Sequence, residues 1–444
     1  MQSLLEASSI ESLTIPHVDV KYRAYTLNNF RELPQAAKLS ERQLQAIETV
    51  GQVLPFKTNN YVVNELIDWS RVPDDPMFIL NFPQRDMLKP EHYVQMERAL
   101  QNNDAWQQHK LVANSIRMQL NPHPAGQLKH NVPTLNGRRL HGIQHKYDET
   151  VLFFPGQGQT CHAYCSFCFR WPQFVGIHDL KFAARQVDEL IAYLDQNPQV
   201  TDILFTGGDP LIMRANTLAK YLTPLLEYDH PSLQNIRIGS KSLSYWPYRF
   251  LTDYDADDLL NLFRKATQYG KHLALMAHFN HPCELKTSAV RYAIERIQET
   301  GAQIRTQSPL LAHINDDPAL WAEMWREQVR LGCIPYYMFV VRDTGAQHYF
   351  GVSLERAWKI FRQAYQQVSG LGRSVRGPVM SAHPGKTQLL GVETVNDKKV
   401  FVLRMLQGRE SDWVLRPFFA EYDENAQWFT DLKPAFGAEK FFFE

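Results

Sequence analysis

The chain has 444 residues, 47 Lys and Arg against 47 Asp and Glu, and a hydrophobic content of 44%. A neutral chain with no long basic run lacks the electrostatic footprint of a nucleic-acid binder, and no apolar stretch approaches the roughly 20 residues that a membrane-spanning helix requires. Five cysteines, an odd number, and no charged-then-apolar leader lead to the expectation of a reducing cytoplasm and argue against a disulfide framework.

In chain order, residues 1–140 read as a mostly helical and polar region. The stretch ELPQAAKLSERQLQAIETV carries apolar positions at helical spacing, with Ser40 placed as an N-cap. Residues 141–391 change to short β-rich runs separated by helical segments: TVLFF, a helix over ARQVDELIAYLDQN, TDILFT, a helix after Arg214, IRIG, a helix from Asp255 to about Gly270, HLALMAHF, a helix from Thr287 to about Thr300, QIRTQS, another helix, and YYMFVV. Alternating β and α units of this kind predict a parallel sheet with crossover helices, about six units in all, which fits a partial barrel. Residues 392–444, with VFVLRML, WVLRPFFAEY and AEKFFFE, predict a small β-rich appendage.

In such folds the chemistry sits in loops at the C-terminal ends of strands. After TVLFF comes Cys161-x3-Cys165-x2-Cys168, three thiolates at close spacing. Soft thiolates select an iron–sulfur cluster, zinc or copper, and three of them on a four-cornered cluster leave one iron open. Zinc with His162 as a fourth ligand stays an alternative, weakened because no second Cys/His knuckle stands nearby. After TDILFT comes Gly207-Gly208-Asp209, where glycines admit a ligand to the backbone and the carboxylate could accept from an ammonium group. His278 and Asn280 follow HLALM, and Gln307 follows QIRT. Of the two remaining cysteines, Cys283 and Cys333, the first follows HFNHP directly, and a small buried thiol is the plainer reading of it.

From Gly142 to Gly391 the chain resembles the lysine 2,3-aminomutase family of radical S-adenosylmethionine enzymes, in HKYDETVLFF, CSFCFR, LFTGGDPL, RIGSKSLSYWPYR, HFNHP, QSPLLAHINDDP, PYYMF, GAQHYF and MSAHPGKTQLLG, in that order. The resemblance implies an α/β radical-SAM partial (β/α)6 barrel with a helical N-terminal region. It implies a [4Fe-4S] cluster on Cys161, Cys165 and Cys168, S-adenosyl-L-methionine at Gly207, Gly208, Asp209, Ser240, His278 and Asn280, and pyridoxal 5'-phosphate on Lys386, with Lys146, Tyr147 and Gln307 around its phosphate. Arg170 matches the binder of the substrate carboxylate, a task suited to a planar bidentate fork. An electron donor such as flavodoxin or ferredoxin and a homo-oligomeric assembly are further expectations of the resemblance.

Two departures bear on the cofactor: Thr150 stands where a second phosphate-binding arginine is usual, and the loop before Lys386 is poor in glycine. A third bears on the substrate. Lysine-specific members are expected to grip the distal ammonium with two aspartates, one after PYY and one before the cofactor lysine. Here Arg342-Asp343 follows PYYMFVV, so register decides which of the two meets the substrate, and VMSAH carries no carboxylate. An unpaired buried ammonium would cost several kcal/mol. The expectation is therefore a 2,3-aminomutase acting on an amino acid other than free lysine, with Arg342, Arg373, Arg376 and His383 hinting at an anionic or polar side chain. The alternatives are a radical enzyme of the same fold that consumes S-adenosylmethionine on a natural-product precursor or a protein-borne residue, and a zinc-stabilised binding protein.

Overall fold

The computed structural model describes residues 20–102, 106–228 and 230–444; residues 1–19 of the expected helical region lie outside it. At its centre is a mixed sheet of eleven strands arranged in strict chain order. β1 (Ile143–Tyr147) is antiparallel to β2 (Thr150–Phe153). β3 (Asp202–Phe205), β4 (Asn235–Ser240), β5 (His272–His278), β6 (Gln303–Leu310), β7 (Ile334–Val340) and β8 (Arg376–Ser381) then follow β2 in parallel. β9 (Gly385–Val395), β10 (Lys398–Gly408) and β11 (Pro417–Glu421) finish the sheet as antiparallel neighbours.

Among the described residues, the seven parallel strands are joined by crossovers that carry α4 (Asp188–Asp195), α5 (Ala215–Glu227), α6 (Ala256–Gln268), α7 (Ser288–Gln298), α8 (Pro318–Arg330) and α9 (Leu354–Gln366), matching the expected six units. Each helix turns one apolar stripe to the sheet. On α9 the buried residues are Leu354, Ala357, Ile360 and Ala364, at helical spacing. Local chemistry sets the starts: Thr287 accepts from Val290 N ahead of α7, and Ser353 accepts from Arg356 N ahead of α9. The N-terminal region contributes α1 (Glu41–Val53), α2 (Pro90–Gln101) and α3 (Trp106–Gln119), with Ser40 and Gln43 forming a reciprocal capping box at α1.

Three expectations need correcting. The helix expected over ARQVDELIAYLDQN is confined to α4, because Ala184 is extended, bridging Pro155 and exchanging backbone hydrogen bonds with Phe154 and Gly156. AEKFFFE is no strand: Phe441, Phe442 and Phe443 gather edge-on around Phe418 at 5.5, 5.7 and 5.5 Å. Residues 391 and 392, the expected boundary of the appendage, both lie inside β9, and the C-terminal strands extend the central sheet.

The sheet curls on itself. Lys146 of β1 donates to Ala382 O just beyond β8, and the Lys386 ammonium group of β9 lies 5.5 Å from the Tyr147 ring of β1. The C-terminal ends of the parallel strands thus surround a cavity closed on one side by β1 and on the other by β9 and β10. Among the described residues, no helix is long and apolar enough to cross a membrane.

Candidate active site

The cysteine loop leaves β2 and is held from outside by the N-terminal region. Lys57 Nζ donates to Cys161 O at 2.7 Å, Tyr22 Oη and Asn59 Nδ2 donate to His162 O at 2.7 and 3.2 Å, and the Tyr164 and Ser166 amides bond to Lys57 O and Leu80 O. The His162 ring meets Ser242 Oγ at 3.0 Å and lies against Trp246, so it serves this wall. Cys161, Cys165 and Cys168 all line one cavity of about 330 Å³. Among the described residues, no three His, Cys, Asp or Glu side chains gather around a point suited to one metal ion; the zinc reading, which needs four donors about 2.0–2.3 Å from a single ion, gains nothing here. Burial pushes all three thiols up, Cys168 to about 12. A coordinated metal reverses that order, because its charge deprotonates the thiol outright.

The glycine pair after β3 lies against the root of this loop. A Cβ on Gly208 would fall 2.5 Å from Thr160 N and 2.6 Å from Thr160 O, and Asp209 N bonds to Thr160 O. Only glycine permits that approach. Asp209 turns into the wall, where Oδ1 accepts from Leu211 N and Oδ2 accepts from Ser240 Oγ, Lys241 N and Ser242 Oγ, each at 2.9 Å. His278 accepts at Nε2 from Gln307 Nε2 at 2.9 Å; burial, with Lys241 nearby, lowers its imidazole to about 3, so it is neutral.

Basic groups line the same cavity as the thiols. The Arg170 guanidinium lies over Phe154 and Phe169, 4.6 and 4.9 Å from their centroids; burial lowers it to about 10, which leaves it charged at neutral pH. Burial, with Arg237 and Arg376 adding their charges, brings the Lys386 amine down to about 7. It donates to Gln407 Oε1 at 2.8 Å and faces the Tyr337 ring at 5.0 Å. Burial also lowers Lys146 well below the usual lysine range, with Arg342 and Arg409 contributing. The cavity wall carries Arg170, Arg237, Arg342, Arg409, Lys146, Lys241 and Lys386 and, among the described residues, no Asp or Glu. The register after β7 is unambiguous. Arg342 lines the cavity with Nε buried and unpartnered, while Asp343 points away and accepts from Asn121 Nδ2 at 3.3 Å.

An Aquifex aeolicus protein that carries the L-lysine 2,3-aminomutase name is 32% identical to this chain over 396 residues, which is 89% of the chain and 92% of that protein. The chain belongs to the lysine 2,3-aminomutase family. Over shorter stretches it is 30% identical to the L-lysine 2,3-aminomutase of Clostridium subterminale (198 residues, 45% of this chain and 44% of that one) and 27% identical to the glutamate 2,3-aminomutase of Clostridioides difficile (250 residues, 56% of each). No family model matches the chain. Among solved structures, a radical SAM methyltransferase from Sphaerobacter thermophilus is similar over 51% of this chain and 66% of its own, at 16% identity and a TM-score of 0.37.

Lysine 2,3-aminomutase family members are radical SAM isomerases that use a [4Fe-4S] cluster and S-adenosylmethionine. The residues present fit those groups: three thiols share one cavity, and beside them is a glycine cradle that any Cβ would fill. They also fit pyridoxal phosphate, because Lys386 is a buried, largely deprotonatable amine between two tyrosine rings with cations for a phosphate nearby. Of the residues expected from sequence, the cavity gathers Cys161, Cys165, Cys168, Arg170, Lys146, Tyr147, Gly207, Gly208, Ser240, His278, Gln307, Arg342 and Lys386. Three expected contacts lie outside its wall. Asp209 is consumed by its four wall donors. Asn280 donates Nδ2 to Ser308 Oγ at 2.8 Å and its backbone carbonyl accepts from Asn315 Nδ2 at 2.9 Å, while its Oδ1 is buried without a partner. Asp343 is turned out by the strand register. Missed from sequence were Gln407, Arg409 and Trp428, which line the cavity from the C-terminal strands, and Lys57, which ties the cysteine loop down.

Proposed function

We propose that this chain is a pyridoxal phosphate-dependent amino acid 2,3-aminomutase whose substrate bears an anionic side chain. The observation that carries the proposal is the cavity wall, with seven lysines and arginines and free of carboxylates among the described residues, with Arg342 facing in where a lysine-specific member is expected to present an aspartate. An ammonium group there would meet only like charge, whereas a second carboxylate would find a guanidinium with an unpartnered Nε.

When bound, the cluster with S-adenosylmethionine supplies hydrogen-atom abstraction and pyridoxal phosphate supplies the aldehyde that carries the migrating amino group. Cys161, Cys165 and Cys168 hold the cluster, with Gly207 and Gly208 offering backbone to S-adenosylmethionine. Arg170 grips the α-carboxylate, and its two flanking phenylalanine rings fix the plane of the fork. Lys386 can give up its proton near neutrality and so act as a nucleophilic amine. The neutral His278–Gln307 pair and Lys146 line the space that the cofactors would occupy and would orient them there. Phe169, Phe339 and Trp428 line the same space and exclude water, which protects a radical from quenching.

The test is anaerobic turnover of a panel of free amino acids by the reconstituted enzyme, with β-amino acids read by chromatography. Aspartate or glutamate should be isomerised in preference to lysine, and Arg342→Asp should lose that preference. Better turnover of lysine than of either dicarboxylic acid would overturn the substrate proposal. Stoichiometric release of 5'-deoxyadenosine with no β-amino acid would overturn the aminomutase reading itself.

A further inference from the structure

The hairpin of β9 and β10 decides what stands beside Lys386. The ladder pairs Thr387 with Met405 and then Lys386 with Gln407, so Leu406 is an extra residue on β10. A bulge of this kind re-aims the side chain next to it; without it Leu406 would face Lys386. β10 also presses in so closely that a Cβ on Gly385 would sit 2.1 Å from Gln407 O, which accounts for a glycine directly before the lysine. Both Lys386 and Gln407 line the cavity, and Lys386 Nζ lies 2.8 Å from Gln407 Oε1.

Resting on the reading of Lys386 as the cofactor lysine, we propose that Gln407, delivered by the β10 bulge, is a positioning residue that holds the Lys386 amine toward the cavity for capture of the pyridoxal phosphate aldehyde. The charged and titratable groups facing that amine are Lys146 and Tyr147 from β1, Glu149 from the β1–β2 turn, Asp202 from β3, Arg237 from β4, Tyr337 from β7 and Arg376 from β8. The guanidinium groups cannot accept a hydrogen bond, and Asp202 is already bonded by Arg237 Nε at 2.8 Å and Thr150 Oγ1 at 3.3 Å. An amide oxygen orients the amine without adding charge. A carboxylate in its place would hold the ammonium form, which has no lone pair with which to attack.

The experiment incubates the anaerobically purified protein with pyridoxal phosphate and cyanoborohydride and measures the rate of label on Lys386 by peptide mass spectrometry, from pH 6 to pH 10, in wild type, Gln407→Leu and Gln407→Glu. Loss of a hydrogen bond to a chargeable group predicts labelling about tenfold slower in Gln407→Leu at every pH. Gln407→Glu should be slow at neutral pH and recover at alkaline pH, its midpoint displaced upward by about one unit through the added negative charge. A purely structural role for Gln407 would instead leave Gln407→Leu labelling at the wild-type rate wherever the variant is folded, which would overturn the inference. Both variants labelling at the wild-type rate with the wild-type midpoint would overturn the inference. Wild type failing to label at Lys386 would overturn the cofactor reading on which it rests.

Discussion

Replacing Lys386 with Met should stabilise the cofactor-free protein at neutral pH and progressively less as pH rises. The amine sits near 7 in the fold against an ordinary lysine value of 10.5, a separation of about 3.5 units, or about 5 kcal/mol at about 1.4 kcal/mol per unit. The folded-state value is depressed for a base, so between about pH 7 and pH 10.5 the unfolded chain binds the extra proton and wild-type stability climbs with pH; below pH 7 both states are protonated and the full penalty is present. Lys386→Met removes the penalty but leaves the Gln407 amide without its donor, which costs about 1 kcal/mol. The net gain is then about 4 kcal/mol at pH 6.5, shrinks by roughly 1.4 kcal/mol per unit above pH 7 and vanishes near pH 10. Urea unfolding of both proteins at pH 6.5, 8 and 9.5, at equal iron content, measures this directly. A difference between wild type and variant that stays constant across that range would refute the assignment of a buried, depressed amine to Lys386.

Three further outcomes follow from the same geometry. Gly208→Ala should lose S-adenosylmethionine binding and part of its iron together, since the new Cβ collides with backbone atoms of Thr160 at the root of the cysteine loop; calorimetric titration with S-adenosylmethionine and an iron assay read the two effects. Arg170→Lys keeps the charge but loses the bidentate fork and the stacking between Phe154 and Phe169, so substrate KM should rise roughly tenfold to hundredfold with the cluster spectrum unchanged. Glu284→Gln should destabilise the fold by about 3–5 kcal/mol, because Glu284 is fully buried and its Oε1 lies 2.6 Å from Lys241 Nζ; unfolding midpoints of the two proteins give that value.

Much of this arrangement is legible in the chain. The change from polar helical spacing to alternating β and α runs marks the parallel sheet, because buried strands such as HLALMAH are apolar on both faces while the crossover helices keep one stripe. The cysteine spacing, Arg170 two residues beyond it, and the Gly-Lys step at residue 386 are visible as local motifs, and the cavity brings them together. What stays hidden depends on where an element stops or what lies across the sheet. Whether Arg342 or Asp343 meets the cavity turns on the end of β7, which a run of apolar residues does not mark. Asp209 reads as a ligand because nothing in its neighbourhood of sequence shows that donors at 240–242 occupy it. Gln407 leaves a fainter trace: counting back along both strands from the two-residue turn at Asn396 and Asp397, both with positive φ, sets it opposite Lys386.

The sequential strand order also has a temporal side. Because every strand hydrogen-bonds to the one made immediately before it, a chain emerging from the ribosome can lay its sheet down one strand at a time, with no early edge waiting for a late partner to insert. The thiols enter at its beginning and the Lys386 amine at its end. A nascent or truncated chain can therefore present its cysteine loop well before it owns a wall against which Lys386 can be buried.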